Sequence, residues 1–153
     1  MTIREAKEKD FENLIKLFRN FFPTHNIFQK SNEEILPYLK EQSKENKLII
    51  LEEKSIRAAL FLVNFGQNSE GSHKLWKFRH FAFGSEEEAS KLLEESEKVV
   101  KNSSKTSKIE LTIAKNEKGM EFYKSRGYKQ EGKLENHYRW GETCFILSKS
   151  LKK

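Results

Sequence analysis

Three β-rich runs follow one another closely in the middle of the chain: KLIILEE (47–53), IRAALFLVNFG (56–66) and KLWKFRHFAF (74–83). Segments whose apolar residues recur at helical spacing flank them on both sides, a combination that places the chain among α/β proteins built on one sheet with helices packed against it. Only Lys54 and Ser55 separate the first two runs, a hairpin signal without the favoured Asn-Gly turn. Upstream, TIREA (2–6) reads as a short strand, and Asp10 precedes FENLIKLFRNFF, where Phe11, Leu14, Ile15, Phe18 and Phe22 form one helical stripe. Ser31 followed by Glu34 is a capping-box pattern opening a second helix, NEEILPYLKEQSKEN, with Pro37 expected in its first turns or at a kink. Downstream, Ser85 is the expected N-cap of SEEEASKLLEESEKVVKN, which has acids in its first turn and Leu92, Leu93, Val99 and Val100 on its apolar side. KIELTIA (108–114) is a strand and EKGMEFYKSRG (117–127) a short helix. YKQEGKLENHYRW and ETCFILSKSL form a closing hairpin turned near Gly141. The expected order is β-α-α-β-β-β-α-β-α-β-β, with a mixed sheet.

At 153 residues, with no repeat and no Pro- or Gly-rich linker, residues 1–153 are expected to form a single domain that buries roughly 70% of its unfolded surface. The lone cysteine, Cys144, cannot form an internal disulfide and reads as a small core residue. There is no stretch of 18 apolar residues, and Glu5, Glu8 and Asp10 near the start are unlike a signal peptide; a soluble, cytoplasmic protein with no membrane partner is expected. The net charge of +6 arises from lysines scattered among acids. It favours anionic ligands only weakly, and with six arginines and no basic stripe no nucleic-acid partner is expected.

The segment NEKGMEFYKSRGYKQEG (116–132) places Phe122 and Tyr123 side by side and Gly127 and Tyr128 just behind them. Gly127 suits the left-handed position past a helix end, letting Tyr128 pack back onto the sheet. Neighbouring residues of a helix point about 100° apart, so Phe122 is expected in the core and Tyr123 beside a cleft. A tyrosine hydroxyl, with a pKa near about 10, can protonate a departing thiolate; the alternative is an amphipathic anchor with its hydroxyl in water.

Those residues resemble the C-terminal half of the GNAT (GCN5-related N-acetyltransferase) superfamily: Asn116, Gly119, Phe122, Tyr123, Gly127 and Tyr128 stand at that family's spacing, with Gly119 where alanine is commoner. KIELTIA before and YRWGETCFILSKSL after fit the same resemblance. So do TIREAKEKDFENLIKLFRNFF at the front and the order of elements throughout. The resemblance implies a GNAT-like α/β fold with a mixed, mostly antiparallel central sheet flanked by helices. It also implies acetyl-CoA as co-substrate, direct attack by a primary amine of a small molecule or peptide in a ternary complex, Tyr123 as the acid and Asn116 as a cofactor contact. Members hold the coenzyme's pyrophosphate on backbone N–H groups where the central helix starts, an anion site that every helix N-terminus offers. Here that implies Arg79 and Phe81 on the preceding strand, then Gly84, Ser85 and Ala89 in the loop, as cofactor-binding positions. The sequence departs from the family pattern at this loop. Gly84 stands where arginine or glutamine is usual, Glu87 replaces a glycine, and Glu86, Glu87 and Glu88 are consecutive. Two unit charges about 5 Å apart repel by roughly 3 kcal/mol at an effective dielectric of 20, and by under about 1 kcal/mol when both are solvated. The same acids also complement the helix's own dipole.

For the proton on the amine, His80 on the strand before the loop and Glu110 on KIELTIA are candidate general bases; the alternative for His80 is a packed or hydrogen-bonded sheet histidine. His25, His73, His80 and His137 lack metal-ligand spacing, and no metal is expected. Lys129, Lys133, His137 and Arg139 make the penultimate strand basic. The expectation is an acetyl-CoA-dependent N-acetyltransferase, with which a homodimer is compatible. The glutamate-rich loop keeps open a catalytically silent GNAT-like module that binds a protein partner or another ligand.

Overall fold

The computed structural model describes residues 1–115 and 119–153. Its elements are β1 (Thr2–Glu5), α1 (Phe11–Phe21), α2 (Asn32–Glu45), β2 (Lys47–Glu53), β3 (Ser55–Gln67), β4 (His73–Phe83), α3 (Glu86–Asn102), β5 (Thr106–Ala114), α4 (Met120–Lys124), β6 (Lys129–Glu135) and β7 (Thr143–Lys152). Single 3-10 turns at Glu8–Asp10 and Ile27–Gln29 lead into α1 and α2. This is the order read from the sequence. The sheet has seven strands in the order β1-β2-β3-β4-β5-β7-β6. The β1·β2, β2·β3, β5·β7 and β6·β7 pairs are antiparallel and β4·β5 is parallel.

Two compact units make up the chain. The first comprises Met1–Val63 and Arg79–Glu97. Its core is the apolar stripe of α1 (Phe11, Leu14, Ile15, Phe18) closed by Phe28, by Ile35 and Leu39 of α2, and by Leu48, Ile50, Ala59, Phe61 and Ala82 of the strands. Phe18 stacks on Phe28 at 4.8 Å between ring centroids. Asp10 does not cap α1 with its side chain. Its buried carboxylate accepts from both terminal nitrogens of Arg4 (2.8 and 3.0 Å) and from the Lys7 N–H (2.7 Å), tying β1 to the turn before α1. Ser31 is the N-cap of α2, but its hydroxyl donates to the Glu34 carboxylate (3.2 Å) and caps no backbone group, so the expected capping box is not closed. Pro37 lies within α2, which continues to Glu45. The β2–β3 hairpin turns on Lys54 alone, at φ 64, with Glu53 facing Ser55.

The second unit comprises Asn64–Phe78 and Lys98–Lys153. Here β5 pairs along its length with β7, from Thr106↔Lys152 to Ala114↔Cys144, and with β4 from His73↔Thr106 to Lys77↔Glu110. Cys144 is fully buried. β6 is shorter than the sequence suggested. It stops at Glu135 because Asn136 turns to φ 52 and its side-chain oxygen accepts the Gly141 N–H (2.7 Å), leaving 136–142 as the hairpin loop. The buried face of α3 also differs by one residue: Ser96, fully buried, follows Leu92 and Leu93 and precedes Val100 at helical spacing, while Val99 is half-buried.

Candidate functional site

The loop that opens α3 is organised by an arginine the sequence reading passed over. The Gly84 N–H donates to the Arg57 carbonyl of β3 (2.9 Å), and the Arg57 guanidinium comes back over the loop to pair with Glu88 at 2.7 and 3.2 Å. A Cβ at position 84 would lie 2.5 Å from Arg57 Nη2, so a larger residue there would push the guanidinium aside. Ser85 caps the helix as expected. Its Oγ accepts the Glu88 N–H (3.2 Å) and donates to the Glu88 carboxylate (2.8 Å), while its carbonyl accepts the N–H of the buried Ala89 (3.0 Å). The three glutamates therefore do not act as three like charges at one point. The guanidinium of Arg57 holds the Glu88 carboxyl below its ordinary pKa, Glu87 is exposed and paired with Lys91 (3.1 Å), and Glu86 is exposed to solvent. Screened and paired acids of this kind repel an incoming anion by under about 1 kcal/mol each. The charge at the start of α3 is thus more dispersed than three consecutive glutamates suggest.

On β4, Arg79 is exposed and Phe81 buried. Between them His80 adopts φ 51, a left-handed conformation that non-glycine residues rarely take and that interrupts the strand's alternation. Its ring is surrounded by Phe18 (6.2 Å between centroids), Phe22 (6.4 Å), His25 (5.0 Å), Phe28 (5.1 Å), Tyr38 (5.9 Å) and Phe61 (5.8 Å). Its Nε2 lies 2.7 Å from the hydroxyl of Tyr38 on α2. Burial, followed by the neighbouring His25 and Arg79, pushes the His80 pKa down to about 3. Burial also raises the Tyr38 phenol, with Arg79 opposing it, so both groups are neutral at pH 7. Tyr38 was missed because it lies 42 residues from His80; the available signal was a polar-tipped ring on the α2 stripe beside Ile35 and Leu39.

This ring-enclosed, half-buried histidine gives a pH dependence of defined sign. An unfolded histidine takes up a proton below about pH 6.5, whereas His80 resists protonation until about 3. Its contribution to stability is therefore complete above pH 6.5 and lost as pH falls towards 3. Urea unfolding should show the protein about 1–2 kcal/mol less stable at pH 5 than at pH 7, and His80→Gln should flatten that slope. Equal stability at the two pH values would contradict a neutral His80. The carboxyls of Asp10 and Glu88, held low chiefly by Arg4 and Arg57, add a further loss only below about pH 4, where unfolded carboxylates protonate.

In the second unit, the Phe-Tyr-x3-Gly-Tyr spacing has a local structural cause. The Tyr128 N–H donates to the Tyr123 carbonyl (3.1 Å) and the Gly127 N–H to the Lys124 carbonyl (3.2 Å), with Gly127 at φ 92. These are the two bonds of a Schellman motif, and the Tyr123 and Tyr128 rings, 5.5 Å apart, make the apolar contact that accompanies it. The helix itself is only five residues long, shorter than its sequence span suggested, because Gly119 at φ 128 delays its start. Phe122 and Tyr123 are both buried, at 4% and 7% exposure, and their rings meet edge to face at 5.2 Å. Glu110 faces away from Ile109, Leu111 and Ile113 and pairs with Lys77 across the β4·β5 register (3.6 Å). Asn116 lies outside the described residues. Among the described residues, no group of three or more His, Cys, Asp and Glu side chains could hold a metal ion, and no helix is long and apolar enough to cross a membrane.

No family model matches this chain, and no curated protein does. Solved structures do. An aminoglycoside 6′-N-acetyltransferase from Enterococcus faecium is 17% identical with a TM-score of 0.74 over 98% of this chain and 97% of that one. An aminoglycoside 6′-N-acetyltransferase solved with coenzyme A is 16% identical with a TM-score of 0.75, covering 98% and 97%. A ribosomal-protein-alanine N-acetyltransferase from Brucella melitensis is 14% identical with a TM-score of 0.71, covering 99% and 100%. The chain therefore has the fold of the GNAT acetyltransferases.

Proposed function

We propose that the protein is an acetyl-CoA-dependent N-acetyltransferase acting on a primary amine of a small molecule or peptide. The observation that carries this reading is the end-to-end likeness of fold to enzymes of that activity, one of them solved with coenzyme A. In this reading a neutral amine attacks the thioester carbonyl, a C–N bond forms as the C–S bond breaks, and the Tyr123 hydroxyl gives its proton to the departing thiolate. Backbone donors of β4, around Arg79 and Phe81, meet the charge developing on the carbonyl oxygen. The first turn of α3 (Gly84, Ser85, Ala89) receives the pyrophosphate, with the helix dipole favouring the anion and Arg57 offsetting Glu88. Asn116 is a further coenzyme contact. Glu110, working through water and paired with Lys77, is the candidate base in this reading, while the His80 imidazole, kept neutral by burial, is already engaged with the Tyr38 hydroxyl.

Release of free thiol from acetyl-CoA, followed against a panel of polyamines, aminoglycosides, lysine peptides and peptide N-termini, tests the reading. Amine-dependent release supports it. The acidic start of α3 motivates a second reading, a GNAT-like module without activity that binds a protein or another ligand. Under that reading the natural protein acetylates nothing on the panel and Glu87→Gly creates a coenzyme A affinity it lacks.

A further inference from the structure

Three observations set off the Tyr38–His80 pair. His80 holds a left-handed backbone in the middle of a strand, six rings enclose its imidazole, and its Nε2 is 2.7 Å from the Tyr38 hydroxyl. A non-glycine residue at positive φ is strained and persists only where the surroundings over-determine it, and such residues cluster at functional sites. Here the side chain is aimed at Tyr38. His80 is the only hydrogen-bond partner of the Tyr38 hydroxyl among the described residues. Of the two neutral groups the phenol is the stronger acid, so Tyr38 donates and the imidazole nitrogen accepts. The consequence is a polarity. With its one proton committed to His80, the half-buried Tyr38 oxygen can only accept, so any ligand group it meets must be a donor.

We propose that Tyr38, fixed in this polarity by His80, is the group that binds the acceptor amine by accepting one of its N–H bonds, which makes Tyr38 specificity-determining and His80 a positioning residue. The proposal rests on the transferase reading for its identification of the ligand as a primary amine. A hydrogen bond accepted from the amine leaves the nitrogen lone pair free for attack and turns away ligands that offer only acceptors. A quaternary ammonium, with charge but no N–H, gains nothing from the pair. Compounds held merely by the aromatic rings would not make that distinction.

The test uses the full chain with tyrosine ring carbons labelled, titrated by NMR with benzylamine, spermidine and glycinamide, and with benzyltrimethylammonium as the probe lacking N–H. At least one primary amine should shift the Tyr38 resonances saturably. The quaternary ammonium should not, and Tyr38→Phe should weaken that amine's binding about tenfold, an effect of the usual size for one lost hydrogen bond. Because Tyr38→Phe keeps the ring, its melting temperature checks that the fold is intact. His80→Leu should weaken amine binding by a similar factor, while His80→Gln, which restores an acceptor for the Tyr38 proton, should recover most of it. If no primary amine moves Tyr38, or if Tyr38→Phe binds the amines as tightly as the natural protein, the inference is wrong. Acetyl transfer separates the two ideas: an amine that shifts Tyr38 but is never acetylated supports the pair and removes the transferase. Transfer whose amine KM is unchanged in Tyr38→Phe keeps the transferase and removes the pair.

Discussion

Tyr123→Phe is expected to lower acetyl transfer about 10- to 1000-fold while leaving the affinity for acetyl-CoA within about twofold. The Tyr123 carbonyl accepts the Tyr128 N–H and its ring packs edge to face on Phe122 and Tyr128. Phenylalanine retains both of these contacts, and the melting temperature of the variant checks that the fold is kept. Steady-state kinetics at saturating amine, with calorimetric titration of acetyl-CoA, separates the two quantities. Equal turnover would remove Tyr123 from the chemistry and leave the Schellman motif as the whole reason for its presence. A parallel loss of coenzyme affinity would assign the hydroxyl to binding.

Phe18→Ala is expected to destabilise the protein by about 3–5 kcal/mol. Phe18 is fully buried, stacks on Phe28 at 4.8 Å and lies 6.4 Å from Phe61 and 6.2 Å from the His80 ring. Deleting its ring removes apolar area from the centre of the α1–α2 core and opens a cavity between these three neighbours. Urea unfolding at pH 7 measures the loss; a value under about 1 kcal/mol would mean that the site repacks. The same variant loosens one wall around His80, so the acid sensitivity between pH 7 and pH 5 should diminish with it.

What the sequence disclosed and what it concealed divide along the distance over which the cause acts. The α1 stripe, the Ser85 cap and the left-handed Gly127 each depend on neighbours within a few positions, and they stand as read except that Phe22 falls just past the end of α1. Local patterns that failed did so against a tertiary competitor or a stronger local one. Asp10 gave up capping α1 for Arg4, and β6 ended early because Asn136 capped its own loop. The candidate site is mostly of the long-range kind. Three successive glutamates read as a charge problem until Arg57, 31 residues upstream of Glu88, neutralises one of them. Likewise, His80 read as a sheet histidine or a base. Its partner Tyr38 and the rings around it come from α1, α2, β3 and the segment between the helices, and no spacing in the sequence announces that they meet.

The central claim is that this fold still takes acetyl-CoA at the start of α3 despite its acids, and thermal unfolding with the coenzyme tests it most directly. Acetyl-CoA at about a hundred times its dissociation constant adds about 2.7 kcal/mol, which for a chain of this size raises the midpoint by about 5 to 10 °C. A rise of that order is the predicted result, with Glu88 held by Arg57, Glu87 by Lys91 and Glu86 left to solvent. No rise at millimolar acetyl-CoA would contradict the account.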